Sequence, residues 1–311
     1  MADVIGIGAC NVDIYCRSLI EFKDHYDHPS KIHIATGGVT RNILEALSKL
    51  NISTSLLTVL GDDIFKEEII NNCHKNNINI DHVKIIKGIN SGLFVEILDK
   101  DGELKEAMCD MSSLEYLNID YIKENDELIR NSKAITIDPS LKEEVIEYIL
   151  DTYKDIPVFI DPVSEEYALK LRKYINRFYA CKPNIKEAEM LADMPIHTDT
   201  DLDIASDKLI KAGLKEIYIT MNKDGCYFKN TLESQKKALR TKDKIINTSG
   251  AGDNFMAGMI YGYLNGLNTS DKLKYAQIMA YTALLSDKPI NDELSIEYIN
   301  KLLKENEDEF R

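Results

Sequence analysis

Short apolar runs alternate with amphipathic stretches along most of the chain. The runs are rich in Val, Ile and Leu, which is typical of buried strands, whereas the amphipathic stretches repeat their apolar residues at helical spacing. The pattern predicts strands at residues 4–8, 54–60, 134–137, 158–160, 178–181 and 217–221. It predicts helices at residues 41–50, 64–76, 142–152, 165–174, 185–191 and 202–212.

The order of these elements predicts the fold class. Repeated strand–helix units indicate an α/β protein in which a mostly parallel sheet is covered by helices on both faces. No internal repeat and no linker rich in Pro, Gly or Ser interrupts this order, so we expect one domain over residues 1–311. Ligands of such sheets bind at the carboxyl ends of the strands, which is where we look for chemistry.

Two segments do not fit the strand–helix order. Residues 14–35 are polar and irregular, and residues 91–111 contain two predicted strands around the turn Asp99-Lys100-Asp101-Gly102. That turn has the residues of a β-hairpin. We interpret both segments as strands of a small β lid over the end of the sheet. Surface excursions without a role are the alternative that the pattern leaves open.

Charge and composition exclude several classes of function. The chain carries 52 acidic against 38 basic side chains, a net charge of −14, which argues against a nucleic-acid partner. No apolar run approaches the roughly 20 residues that span a bilayer, so we expect no membrane partner. The N-terminus has an acid at position 3 and no long apolar core, unlike a signal peptide. The 6 cysteines form no C-x-x-C pair and the 6 histidines no metal-binding spacing, which fits a protein of the reducing cytoplasm.

The stretch Gly250-Ala251-Gly252-Asp253 opens a predicted apolar helix. Glycines at a helix start let backbone N–H groups approach an anion closely, and the helix dipole adds partial positive charge there. The amides of Gly250, Ala251 and Gly252 are therefore candidates for holding a phosphate, with Asp253 beside them as a general base. The pattern alone also fits an ordinary helix start capped by Ser249 or Asp253.

Four motifs together carry a family resemblance. The sequence GAGD followed by NFMAG, the stretch GGVTRN at residues 37–42, the loop at residues 6–13 and the run at residues 182–189 resemble signatures of the ribokinase-like (PfkB-type) carbohydrate kinases. They occur in family order and cover almost the whole chain. The resemblance implies a three-layer α/β/α fold and an ATP-dependent kinase with Asp253 as its base and residues 250–252 as an anion hole.

The resemblance also implies a set of residues that bind the sugar. Asn11 and Asp13 offer polar groups at the end of a strand, and Gly37 and Gly38 let the backbone approach a sugar closely. A solvated loop carboxylate is the alternative for Asp13, and a tight turn into a helix is the alternative for the two glycines. The expected substrate-binding residues are Asn11, Asp13, Gly37, Gly38, Arg41, Asn42 and Asp138.

Two common nucleotide-binding motifs are missing from the sequence. Gly6-x-Gly8 follows a predicted strand as in a dinucleotide fingerprint, but Asn11 stands where the third glycine belongs. The chain also has no G-x-x-x-x-G-K-[ST] loop. We therefore expect neither NAD binding nor a P-loop.

For ATP and its metal, the resemblance points to two other regions. Asn184-x-x-Glu187 has the spacing of a capping box and also matches the family region that orders Mg²⁺, often through water, and both readings can hold together. Asn222 replaces the first glycine of a T-x-G-x-x-G nucleotide loop, and Asn tolerates left-handed backbone. Many relatives carry Asp where this chain has Asn247, and in some of them that Asp contributes to a monovalent-cation site. The resemblance therefore does not decide whether this chain binds such a cation. The expected nucleotide-binding residues are Asn184, Glu187, Thr220, Asn222 and Gly225.

Within the family, the chain most resembles pseudouridine kinases. Arg41, Asp138 and the run Asp161-Pro162-Val163-Ser164 carry that likeness, whereas Tyr167 stands where relatives often have Lys. We therefore expect phosphorylation of the terminal hydroxymethyl group of pseudouridine to give pseudouridine 5'-phosphate. Another activity of the family (ribokinase, nucleoside kinase or fructokinase) and a non-catalytic sugar-binding regulator are the alternatives. The resemblance further suggests a homodimer formed through the lid.

Overall fold

The computed structural model describes residues 2–239 and 245–310 and places fifteen strands and eleven α-helices within them. The strands are β1 (Val4–Ile7), β2 (Asn11–Ser18), β3 (Ser30–Gly37), β4 (Thr54–Leu57), β5 (Val59–Gly61), β6 (Ile78–Asn79), β7 (Lys84–Ile86), β8 (Gly92–Leu98), β9 (Leu104–Asp110), β10 (Ala134–Ile137), β11 (Val158–Ile160), β12 (Ala180–Cys181), β13 (Glu216–Thr220), β14 (Cys226–Asn230) and β15 (Ser234–Lys237). The helices are α1 (Val39–Lys49), α2 (Lys66–Lys75), α3 (Ile119–Glu124), α4 (Asp126–Arg130), α5 (Glu143–Thr152), α6 (Glu165–Leu171), α7 (Ile185–Ala192), α8 (Asp199–Ala212), α9 (Ala251–Leu264), α10 (Thr269–Leu284) and α11 (Ile296–Glu305).

A nine-stranded sheet forms the centre of the fold. Its strand order is β15-β14-β13-β12-β11-β10-β1-β4-β6. The pairs from β6 to β13 are parallel, and β14 and β15 add an antiparallel edge. The predicted mostly parallel sheet is therefore confirmed.

Helices cover both faces of this sheet. Side chains alternate along β1, so that Ile5 and Ile7 join one buried apolar cluster and Val4 joins the other. The first cluster includes residues of α5, α7 and α8, and the second includes residues of α1, α9 and α10. The predicted three-layer α/β/α arrangement is therefore confirmed. Within the described ranges, no helix has both the length and the apolar character needed to cross a bilayer.

The predicted strand at residues 54–60 is in fact two strands in two different sheets. β4 pairs with β1 in the central sheet, whereas β5 pairs with β7 in a separate two-stranded sheet. The chain turns at Thr58, whose carbonyl accepts the backbone N–H of Lys84 at 3.1 Å and the hydroxyl of Tyr121 at 3.2 Å. Both strands are fully buried, so the apolar pattern is continuous and does not reveal the break.

A second sheet of four strands stands apart from the central one, in the order β3-β2-β8-β9. It is built from the two segments that the strand–helix order left unexplained. β2 pairs antiparallel with β3 and parallel with β8, and β8 and β9 form the expected hairpin. β2 begins at Asn11 and β3 ends at Gly37, so the sheet extends to the predicted sugar-binding residues on both strands.

Candidate active site

The candidate site lies where parallel strands of the central sheet end. Asp138 follows β10, Asp161 follows β11 and Lys182 follows β12, which are neighbouring strands. The start of α9 and the first turn of α1 meet at the same place, because Asn42 of α1 contacts Asp253 of α9. Residues far apart in the sequence are thus brought to one edge of the sheet, as expected for a doubly covered parallel sheet.

The start of α9 leaves its first backbone amides without a side-chain cap. Gly250 precedes the helix in the left-handed conformation with φ of 77°, and no side chain caps the helix. A Cβ atom at Gly250 would lie 2.2 Å from the carbonyl oxygen of Pro289, so only glycine fits. The alternative prediction that Ser249 or Asp253 caps this helix is therefore wrong. The Ala251 N–H donates to the carbonyl of Thr248 at 3.4 Å, and no side chain caps the helix start, so a ligand with negative charge has backbone donors to meet there.

Asp253 is buried beside these amides. The side-chain amide of Asn42 donates a hydrogen bond of 2.7 Å to Asp253 Oδ2. Burial, together with the charge of Asp161, raises the pKa of Asp253 to about 7, although Asn42, Lys182 and Arg41 oppose the rise. A carboxyl group that titrates near neutral pH is suited to take and release a proton.

Arg41, a predicted substrate-binding residue, has its guanidinium buried against the end of β3. Its Nε donates to the carbonyl of Gly37 at 3.0 Å and its Nη2 to the carbonyl of Thr36 at 2.9 Å. It also forms an ion pair with Glu45 and donates to the side-chain oxygen of Asn42. The structure thus places Arg41 as a group that holds the end of β3 and orients Asn42.

The predicted sugar-binding residues of the first loop and of β3 lie together. Asp13 is buried and accepts hydrogen bonds from Asn11 Nδ2 at 2.6 Å and from the Tyr15 hydroxyl at 3.2 Å. Burial raises the pKa of the Asp13 carboxyl. A Cβ at Gly37 would lie 2.2 Å from an Asp13 carboxylate oxygen, so glycine is required for this approach. The alternative of a solvated Asp13 is therefore wrong.

Gly38 and Asp138 complete the part of the site that faces the first loop. Gly38 has φ of 102° and directly precedes α1, so it also forms the tight turn into the helix that was the alternative prediction for the glycines. Asp138 is buried, and its Oδ2 accepts the backbone N–H of Ala9 at 3.2 Å. Its other oxygen accepts the backbone N–H of Ser140 at 2.9 Å, which fixes the carboxylate between two loops.

Asn184 and Glu187 form the predicted capping box at the start of α7. Asn184 Oδ1 accepts the backbone N–H of Glu187 at 3.0 Å, and Glu187 Oε2 accepts that of Asn184 at 2.9 Å. Burial and the charge of Asp161 raise the pKa of Glu187. Carboxylate and amide oxygens are ligands that suit Mg²⁺, so the side chains of Asn184 and Glu187 fit such an ion. Among the described residues, no group of three or more His, Cys, Asp or Glu side chains could hold a metal ion by itself.

The predicted nucleotide loop follows β13 and lies beside the start of α7. The backbone N–H of Thr220 donates to the carbonyl of Pro183 at 2.9 Å, and Asn184 and Thr220 form a parallel bridge. Asn222 has φ of 51°, so the expectation that Asn adopts the left-handed conformation is confirmed. Gly225 has φ of 84°, and a Cβ there would lie 2.2 Å from the carbonyl oxygen of Lys237.

Two charged residues of the site were not among the predicted ones. Lys182 Nζ lies 2.8 Å from Asp161 Oδ2, and both side chains are buried. A Cβ on Gly252 would lie 3.3 Å from Lys182 Nζ, so this ion pair borders the start of α9. One signal could have found them: each is the first charged residue after a buried strand, and Ile160 pairs with Cys181 in register.

The chain is similar to known proteins along almost its whole length. A family model described as pfkB family carbohydrate kinase matches residues 1–295. The pseudouridine kinase of Escherichia coli strain K12 is 29% identical over 303 residues, which cover 97% of this chain and 96% of that protein. The structure of a Clostridium perfringens protein described as a sugar kinase has a TM-score of 0.88 and 30% identity, with 98% and 96% of the two chains covered. Arabidopsis thaliana ribokinase, solved with ribose and ATP, has a TM-score of 0.82 and 19% identity over 98% and 99% of the chains.

Because the carboxyl group of Asp253 is buried, we predict that its replacement stabilises the protein increasingly as the pH rises. The pKa of about 7 in the folded state exceeds the ordinary 3.8, so stability is lost as the pH rises through this window. Asp253→Asn removes the buried charge and keeps an acceptor for Asn42. Between pH 5.5 and 8.5 its free energy of unfolding relative to the wild type should rise by about 2 kcal/mol, measured by denaturant unfolding. A difference that is the same at both pH values would contradict the raised pKa.

Proposed function

Because the chain belongs to the pfkB family of carbohydrate kinases and is an ATP-dependent kinase of a sugar or nucleoside, we propose that its substrate is pseudouridine. The observation that carries this proposal is the 29% identity to Escherichia coli pseudouridine kinase along 97% of the chain. The buried Asp138 and the Asp161-Pro162-Val163-Ser164 run support it, since they carried the same likeness in the sequence.

The proposed reaction transfers the γ-phosphoryl group of ATP to the terminal hydroxymethyl oxygen. Asp253 takes the proton of that hydroxyl while the oxygen bonds to phosphorus and the bond to the β-phosphate oxygen breaks, releasing ADP. Asn42 orients the Asp253 carboxylate through the 2.7 Å hydrogen bond. The uncapped amides at residues 250–252 hydrogen-bond the charge that spreads over the moving phosphoryl group.

Substrate and nucleotide occupy opposite sides of Asp253 in this proposal. Asn11, Asp13 and Asp138, with the backbone of Gly37 and Gly38, bind the hydroxyl groups of the ribosyl part. The loop containing Thr220, Asn222 and Gly225 binds the nucleotide. Asn184 and Glu187 would hold Mg²⁺ through water, and the ion would supply positive charge against the phosphates.

The four-stranded sheet is the proposed lid over the sugar. Its strand pairing places Asp13, Tyr15 and Glu96 on one face, because Asp13 and Tyr15 are two residues apart and Tyr15 pairs with Glu96. This face carries the substrate-binding Asp13. Closure of such a lid excludes water and limits hydrolysis of ATP.

The other face of the proposed lid is apolar and partly exposed. Ile34, Ile14, Val95 and Met108 are direct partners across all four strands and form one apolar row. Ile14 packs against a buried apolar cluster, whereas Ile34 is 51% exposed and Met108 65% exposed, so these two ends of the row lack a cover within the described residues. A second copy of the chain is the proposed cover, since a two-fold contact pairs one apolar face with itself. The six free cysteines suit the reducing cytoplasm as the compartment.

A substrate panel tests the proposed activity. We expect ADP formation from ATP and Mg²⁺ to depend on pseudouridine, with kcat/KM at least tenfold above that for ribose, uridine, deoxyribose and fructose. A coupled assay for ADP measures this, and phosphorus NMR identifies the 5'-phosphate. A higher kcat/KM for ribose, uridine or fructose would contradict pseudouridine as the substrate and favour that alternative. Binding of a sugar without ADP formation would favour the regulator.

The role of Asp253 predicts a loss of turnover and a defined pH dependence. Asp253→Asn should lower kcat by about 10³-fold, within the range for a general base. In the wild type, kcat/KM should fall as the pH drops through about 7, because the base must be ionised. Glu216→Gln combined with Lys272→Met is the control, since this buried ion pair lies at the start of β13, away from the carboxyl ends of the strands, and both charges are removed together. Full activity of Asp253→Asn would contradict the assignment of Asp253 as the general base.

The apolar row predicts a dimer that a single charge disrupts. Ile34→Asp places a carboxylate in the proposed contact, whereas Ile64→Asp, at a residue 85% exposed outside the four-stranded sheet, is the control. Sedimentation velocity should show a dimer for the wild type and the control and a monomer for Ile34→Asp. A monomeric wild type, or a dimeric Ile34→Asp, would contradict a dimer formed through this face.

A further inference from the structure

A buried ion pair borders the first turn of α9. Lys182 and Asp161 have side chains only 7% and 9% exposed, and their charged atoms are 2.8 Å apart. They follow the adjacent parallel strands β12 and β11, so the sheet itself sets their separation. The proposed mechanism assigns neither residue a role.

The surroundings of Lys182 are those of a phosphate site. Its ammonium group is buried and lies 2.8 Å from the Asp161 carboxylate, which holds a cation in place there. It stands close to Gly252, whose amide belongs to the proposed anion hole, and between the proposed base and the capping box of α7.

The hydrogen bonding of Lys182 is incomplete. An ammonium group has three N–H donors, and Asp161 is the one acceptor that the described residues place on it. The buried pair of Lys272 and Glu216, at the other end of the sheet, is similar in this respect, because Glu216 is the one acceptor that the described residues place on Lys272, at 2.6 Å. Its acid also accepts the hydroxyls of Tyr218 and Tyr179. What distinguishes Lys182 is its position, since its free donors lie beside the start of α9.

A purely structural role explains Lys182 poorly. Burying two charges costs several kcal/mol for each ion, and apolar residues of similar volume are often as stable or more stable at such positions. A cation next to an uncapped helix start and three carboxylates is instead well placed to meet phosphate oxygens. The ion pair would keep the ammonium in position until the nucleotide arrives.

We propose that Lys182 is a catalytic residue that hydrogen-bonds the transferring phosphoryl group, and that Asp161 is a positioning residue for its ammonium. The assignment rests on the proposed role of Asp253 and the amides of α9. The substrate oxygen bonds to phosphorus, the bond to the β-phosphate oxygen breaks and the proton goes to Asp253. Lys182 keeps its protons throughout and contributes only hydrogen bonds and charge.

The test compares neutral replacements of the two buried ion pairs. The Lys182→Met and Asp161→Asn double variant removes both charges at once, so no unpaired ion is left buried. Lys272→Met with Glu216→Gln is the matched control. We expect kcat of the first double variant to fall by about 10²-fold to 10³-fold with a nearly unchanged KM for the sugar, and kcat of the control to stay within about twofold. Thermal unfolding should show both double variants folded.

The pH dependence of kcat/KM in single variants provides a measurement that a purely structural role of Lys182 would leave unchanged. Lys182 lowers and Asp161 raises the pKa of Asp253, with Asn42 and Arg41 as its other close partners. The acid limb of kcat/KM should therefore move to higher pH in Lys182→Met and to lower pH in Asp161→Asn. Lys182→Arg should recover at least tenfold of the kcat lost in Lys182→Met, because it restores the cation.

Titration calorimetry with ATP and ADP, without sugar, separates this inference from the proposed function. Loss of the Lys182 contact should weaken ATP binding at least threefold more than ADP binding in the double variant. A folded double variant with the kcat and ATP affinity of the control would overturn the role of Lys182 even if Asp253→Asn is inactive. An active Asp253→Asn would instead overturn the proposed base, and the preference for ATP over ADP would still decide the role of Lys182.

Discussion

The site depends on one hydrogen bond between two helices, from Asn42 of α1 to Asp253 of α9. The residues are 211 positions apart, and 2.7 Å separates their side-chain atoms. α1 begins where the four-stranded sheet ends, and α9 begins with the uncapped amides, so this bond joins the proposed sugar and phosphate halves of the cleft. Arg41, one residue away, orients Asn42 from below and is itself held by backbone carbonyls.

Charge is concentrated at this edge of the sheet to an unusual degree. The charge of Asp161 raises the pKa of Glu187 and of Asp253, and Lys182, which is paired with Asp161, is the cation among these acids. Buried charges of one sign are costly when they lack partners, so the folded protein holds this arrangement at the expense of stability. The same imbalance is what a magnesium ion and a polyphosphate chain, which bring opposite charges together, would relieve.

Much of the fold could be predicted from the sequence, because apolar runs and helical periodicity report burial directly. The two strands at residues 54–61 could not, since a buried turn at Thr58 leaves the pattern unbroken. The order of the motifs also predicted that residues 11–13, 37–42 and 253 belong to one site. The pair of Asp161 and Lys182 was missed because a single charged residue after a strand has no meaning until the strand order is known. The depth of Arg41 was missed for a similar reason, because sequence spacing does not tell an inward guanidinium from an outward one.

Gly38 alone separates the end of β3 from the beginning of α1. The junction has no slack, and a Cβ at this glycine would lie 2.5 Å from the carbonyl oxygen of Ala9. Any rocking of the outer sheet must be absorbed by rotation at this one residue or transmitted directly into the helix that carries Asn42. Movement of the four-stranded sheet is therefore coupled to the orientation of the acid at position 253. A longer connection would uncouple the two without altering a single side chain in the cleft.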